Sequence, residues 1–318
     1  MPLRLTGIYE DMITPKKPYN FRLTAMCYAS PWDFDGERAY IIFRTASRTG
    51  CVMATQRDEE VTVRIFAEKP DDELIEHGLK VARHVLALDE DLTEYYKIIE
   101  KDPLLGIIPK KYLGLHMRAV ASLWEGAIIG ICQQNASFRQ GWRMVMNLRN
   151  LLGEKVLIEG FNVILKATPS PHTIVRRASK LAETGVGYRK DTIIRLARTF
   201  IRNETEELEQ IKGIGQYTAR LARIIALRKY DVFPVDRWFM RLIPYTYKGI
   251  DKAWPKGKVE KLARELWGKW CGLSAILITI VTAAKPIREA LDRIRKGEIN
   301  ILPEEPAPMT IWRVGWEI

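Results

Sequence analysis

The chain has no CxxC pair. Its four cysteines, Cys27, Cys51, Cys132 and Cys271, lie far apart, and its four histidines, His77, His84, His116 and His172, are equally scattered. Zinc and iron–sulfur sites need convergent thiolates or imidazoles, so no metal site and no cofactor is expected. A charge-free apolar run of about 18 residues, the length that spans a bilayer, is also missing. The N-terminal MPLRLTGIYEDMITPKK has no apolar core of the kind a secretory leader carries. An intracellular protein (cytoplasm or nucleoid) with reduced thiols is therefore expected. Acidic side chains are in deficit: 39 Asp and Glu stand against 50 Lys and Arg, a net charge of +11 over 318 residues. Such an excess suits a polyanionic partner, nucleic acid ahead of an anionic membrane, with an ordinary basic protein as the bland alternative. The hydrophobic content of 47% excludes a disordered chain and supplies a sizeable core.

The first third differs from the rest. The segments 21–29, 38–47, 51–56 and 60–68 are rich in β-branched and aromatic residues and are separated by turn-like stretches such as Asp33-Phe34-Asp35-Gly36 and Arg57-Asp58-Glu59. They predict an antiparallel sheet of about four strands. Residues 71–88 then show helical spacing behind an acidic start. Helices dominate onward, over 92–99, 123–132, 138–152, 171–184, 191–200, 204–211, 216–228, 256–267, 273–282 and 286–296, before a proline-rich tail that reads as extended. The fold class is α+β. An N-terminal sheet-plus-helix domain is expected over 1–88 and an all-α domain over 89–318.

One stretch carries chemistry. In ELEQIKGIGQYTARLARIIALRKYDVFPVDRWFMRL, Gly213-Ile214-Gly215 breaks a helical pattern, and a lone acid, Asp236, follows Phe233-Pro234-Val235. Glycine permits positive φ and close backbone approach. The helix after the turn would begin with free N–H groups near Gly215, Gln216 and Tyr217, suited to a phosphate oxygen, with Lys212 as a nearby point charge. A plain αα-hairpin explains the glycines equally well. Asp236, likewise, is a good N-cap for the helix that begins at Arg237.

The combination is more specific than its parts. Leu208, Ile211, Gly213, Ile214, Gly215, Thr218 and Ala219, followed by Pro234-Val235-Asp236, resembles the helix-hairpin-helix DNA glycosylase superfamily, in its 3-methyladenine glycosylase II and 8-oxoguanine glycosylase-like branch. Lys212 stands where that family has proline. Residues 127–153, Gly187-Tyr188-Arg189 and Trp267-Gly268-Lys269-Trp270 extend the likeness to about residues 80–285.

The resemblance implies a glycosylase core of two helical subdomains with a cleft between them. It implies double-stranded DNA with a damaged base as the partner, a monomer, and no cofactor. Lys212, Gly213, Ile214, Gly215 and Gln216 would hold the DNA backbone. Asp236 would be catalytic, stabilising the positive charge that develops on the sugar as the base leaves. Gln134 and Asn135 would fill the gap left by the extruded base. Tyr217, Leu221 and Trp270 would contact that base. Bifunctional members carry a lysine where this chain has Tyr217, and a phenol cannot form the imine that leads to strand cleavage. The resemblance thus implies a monofunctional enzyme.

The lesion stays open. The aromatic Tyr217 suits an electron-poor alkylated purine such as 3-methyladenine, whereas Asn135 resembles the 8-oxoguanine enzymes. A non-catalytic DNA-binding protein with a structural acid is the alternative outside enzymology. Arg139, Arg143, Lys190 and Lys212 are candidate phosphate contacts, although exposed basic residues often do no more than solvate a face.

Overall fold

The computed structural model describes residues 1–46, 48–203, 205–301 and 306–314. The expected ends of a strand at Ser47 and of a helix at Glu204 lie outside the described residues, as does the tail from Leu302 to Glu305. Six strands form one sheet: β1 (Leu3–Ile13), β2 (Ala39–Arg44), β3 (Thr49–Arg57), β4 (Glu60–Ala67), β5 (Lys155–Ile158) and β6 (Val163–Lys166). Their order is β2-β3-β4-β1-β5-β6. Four neighbouring pairs are antiparallel, and β1 with β5 is parallel, Leu3 opposite Val156 and Leu5 opposite Ile158.

The sheet corrects the sequence reading twice. Phe21–Met26 is not a strand but a helix, α1. The Asn20 side chain accepts from the Leu23 N–H at 3.0 Å and caps it, and Phe21, Thr24 and Ala25 fall on one buried face. Its β-favouring composition is overridden by that cap and packing. Conversely, β1 keeps up no sustained alternation of polar and apolar residues, and only Leu5 and Ile13 of its eleven residues are buried, yet it lies inside the sheet with β4 on one side and β5 on the other. Its apolar residues, Leu3, Leu5, Ile8, Tyr9, Met12 and Ile13, change spacing at a bulge between Gly7 and Tyr9, which breaks the period-2 pattern of a half-covered strand. The short strands β5 and β6 come from within the helical stretch, where the sequence pattern predicts none.

Thirteen helices are described. After α1 come α2 (Asp72–Val85), α3 (Thr93–Ile99), α4 (Ile107–Lys111), α5 (Leu123–Gln133), α6 (Phe138–Leu152) and α7 (Pro171–Arg176). Then follow α8 (Lys190–Arg202), α9 (Gln216–Leu227), α10 (Arg237–Lys248), α11 (Lys256–Trp267), α12 (Cys271–Val281) and α13 (Ile287–Lys296). One core unites a sheet face with α2, α3 and α10–α12; Val63, Ile65, Leu74, Leu242 and Leu277 are among its members. A second joins α5, α6, α8 and α9.

Within the second core, α5 meets α9 at backbone distance. A Cβ on Gly126 would come within 2.9 Å of the Ala222 carbonyl, and one on Gly130 within 3.0 Å of the Thr218 carbonyl. These contacts run the two helices antiparallel and set the end of α5 beside the start of α9. No described helix is long and apolar enough to cross a membrane.

Candidate active site

The hairpin turn is fixed by one glycine and left open by the other. Gly213 has φ +101, and a Cβ there would lie 2.1 Å from Thr192 Oγ1. Gly215 has φ −94, and a Cβ there would meet nothing within 4 Å. It caps α9 without any side-chain hydrogen bond, so no cap side chain takes up the first N–H groups of α9. Ile214 is buried in the helical core, while Lys212, Gly213, Gly215 and Gln216 are exposed. Arg195 Nε donates to the Lys212 carbonyl at 2.9 Å and braces the turn.

Further along α9, neighbouring residues face different surroundings. Tyr217, Leu221 and Ile225 line a cavity of about 780 Å³, while Thr218, Ala219 and Ala222 face the helical core. Asp236 lies on the wall of the same cavity, at the entrance to α10. Its Oδ1 accepts from the Phe239 N–H at 2.8 Å, so it is also the N-cap of that helix. Burial pushes its carboxyl above the ordinary aspartate value. The Phe239 and Trp238 N–H groups and the Lys256 charge pull the other way without cancelling the shift. Burial, and then the nearby Asp236 charge, push the Tyr217 phenol up as well. Tyr28, Phe138, Trp142 and Trp238 add aromatic walls, with Tyr28 stacked on Trp142 at 6.0 Å between centroids.

No family model matches the chain. A DNA-3-methyladenine glycosylase of Bacillus subtilis is 23% identical over 163 residues, 47% of this chain and 54% of that protein. The chain thus spans about half the length of this relative. A probable N-glycosylase/DNA lyase of Methanothermobacter thermautotrophicus is 23% identical over 268 residues, 74% of this chain and 82% of that one. Among solved structures, a 3-methyladenine DNA glycosylase from Archaeoglobus fulgidus superposes with a TM-score of 0.70 at 21% identity, covering 85% of this chain and 96% of that chain. The chain has the helix-hairpin-helix DNA glycosylase fold.

Within this glycosylase fold, the expected site residues separate into those brought together and those held apart. Asp236, Tyr217 and Leu221 share the cavity. Trp270 does not line it. Its indole packs against Tyr95 at 5.6 Å and Tyr230 at 6.0 Å, on the core side of α12, which corrects the expectation of base contact. Gln134 is also engaged elsewhere. Its Nε2 donates to the Gly213 carbonyl at 3.0 Å and to Thr218 Oγ1 at 2.8 Å, tying the α5–α6 loop to the hairpin. That leaves Asn135 as the exposed member of the pair, in a left-handed conformation with φ +45. Its Nδ2 lies 3.4 Å from the Tyr188 hydroxyl, and Tyr188 is 66% exposed.

Trp238, which the sequence suggests is a core or surface residue, lines the cavity; its position two residues after Asp236 is a usable signal. Tyr28, Phe138 and Trp142 give no such signal, because long-range folding assembles them. Among the described residues, no group of three or more His, Cys, Asp or Glu side chains converges as a metal site requires.

Proposed function

We propose that the protein is a monofunctional DNA glycosylase of base-excision repair, hydrolysing the N-glycosidic bond of a damaged base everted from duplex DNA. The observation that carries this reading is the single helix α9: its start is the exposed hairpin turn, and its next turn lines the cavity that holds Asp236. A phosphate oxygen received by the N–H groups around Gly215, Gln216 and Tyr217, with Lys212 beside it, anchors the strand. The nucleotide then swings into the cavity, and Asn135 occupies the space it leaves.

In the cavity the departing base leaves an oxocarbenium-like sugar. The Asp236 carboxylate stabilises that charge and orients the attacking water. A dissociative reaction of this kind needs one fixed carboxylate rather than a pair. The aromatic walls favour an alkylated purine, through stacking on an electron-poor ring. Asn135, exposed and turned outward, supports a second reading in which an oxidised purine such as 8-oxoguanine is removed.

The test is a panel of duplexes, each with one lesion, scored for strand breaks with and without alkali. Breaks that appear only after alkali are expected, because Tyr217 stands where a Schiff-base lysine would be needed. Breaks without alkali, trapped covalently by borohydride, would contradict the single activity. A protein that binds every duplex and releases no base would be a DNA-binding module instead.

A further inference from the structure

Two consecutive glutamines close α5, and the fold treats them oppositely. Gln134 turns out to the hairpin and its amide is satisfied twice. Gln133 turns inward. It is part of the cavity wall, and its buried Nε2 has no acceptor among the described residues. Buried amides are nearly always paired, so an orphan on a cavity wall marks a place for a ligand atom.

The fold also makes room for this side chain. Gly141 lies one turn into α6, and a Cβ there would sit 2.4 Å from Gln133 Oε1 and 2.6 Å from its Nε2. Glycine inside a helix costs stability relative to alanine. At this position it allows the carboxamide to lie against the α6 backbone. Around it the cavity is largely aromatic and aliphatic, with Tyr28, Phe138 and Trp142 nearby on its walls. A carboxamide presents one donor end and one acceptor end, the complement of a nucleobase edge.

We infer that Gln133 is a specificity-determining residue: its carboxamide hydrogen-bonds the edge of the base held in the cavity. The inference rests on the glycosylase reading for its substrate, a base in duplex DNA. The aromatic walls bind any flat ring, and Gln133 separates rings by the polar atoms on their rim. Lesions that present a hydrogen-bonding edge to the end of α5 gain from it, and lesions methylated or reshaped there do not.

The experiment measures single-turnover base release across the lesion panel for the wild type, Gln133→Leu and Gly141→Ala, with binding of free purine bases to the protein measured by calorimetry. Gln133→Leu is expected to reorder the panel, slowing the preferred lesion about tenfold or more relative to the others. Gly141→Ala keeps the glutamine but displaces its carboxamide, so it should reorder the panel in the same sense. Its melting temperature should be unchanged or higher, since alanine favours the helix. Equal slowing of all lesions, or no change, in Gln133→Leu would overturn the inference. If the wild type releases no base but binds free purines, and Gln133→Leu loses that binding, the glycosylase reading fails while the role of Gln133 stands. Neither release nor binding by the wild type would overturn both.

Discussion

The two ends of α9 each sit beside a partly buried acid, and the acids are treated in opposite ways. At the C-terminal end, Arg228 takes a left-handed conformation with φ +54 and reaches Glu90. It donates to the His84 carbonyl at 2.8 Å, the Met117 carbonyl at 2.9 Å and Glu90 Oε1 at 3.1 Å. Tyr230 and His116 complete the ring around Glu90, at 2.9 and 2.8 Å. Burial pushes the Glu90 carboxyl up, but Arg228, then His116 and Tyr230, outweigh it and hold the group at about 2. Near the N-terminal end, Asp236 has no side-chain cation in contact among the described residues, and burial wins. A saturated acid is a strut between the segment after α2 and the end of the hairpin helix. An acid left short of partners, on a cavity wall, is available for a positive charge that arrives only with substrate.

The largest effect should follow from Asp236→Asn. Asparagine caps a helix as well as aspartate, so the fold and DNA affinity should persist. Base release should fall about 10³-fold, read by single-turnover kinetics. The pH dependence adds a signature. Because the Asp236 carboxyl is raised, the wild-type rate should drop as pH falls through a midpoint above the ordinary aspartate value, and the variant should lack that limb. The raised value also means that ionised Asp236 opposes folding at neutral pH, so Asp236→Asn should melt no lower than the wild type.

Glu90→Gln should act on stability instead. It strands the buried Arg228 charge and should cost about 3 kcal/mol, measured by denaturant unfolding. The stability that Glu90 contributes is present above the ordinary glutamate range and lost as pH falls toward about 2. The variant should therefore lose much of the acid sensitivity in that window. If Glu90→Gln abolished base release in a fully folded protein, the division between strut and reactive acid would collapse.

The hairpin glycines sharpen the contrast on a smaller scale. Gly213→Ala forces a Cβ against Thr192 at a positive φ and should destabilise by about 2 kcal/mol. Gly215→Ala meets nothing in the protein, so its melting temperature should hold. Only DNA affinity should weaken, roughly tenfold or less, in a binding titration.

The hairpin and Asp236 are legible in the sequence because their signal is local. A turn that demands glycine, and an acid in an apolar frame, are both written within 36 residues, 207–242. Most helices are legible from their periodicity for the same reason, although of the helix expected over 204–211 the described residues show only a short 3-10 turn at Leu208–Gln210, and α4 is not expected. What fails is set by distance along the chain. The strand β1 is hidden by its broken alternation, and its partners lie 48 or more residues away. Gln133 and Gln134 are the same residue type in adjacent positions, so only the packing of α5 on α9 decides which faces the cavity. Trp270 and Trp238 both sit near the ends of helices, and the rotation of each helix assigns them opposite roles.

The claim at the centre is spatial: one helix grips the strand with its start while its second turn helps enclose the everted nucleotide beside Asp236. A crystal structure of the protein with a duplex carrying an abasic site tests it most directly. The account predicts a phosphate oxygen within hydrogen-bond reach of the Gly215–Tyr217 N–H groups and the abasic sugar turned toward the Asp236 carboxylate. DNA bound across another face, with the sugar remote from Asp236 and the hairpin free, would contradict it.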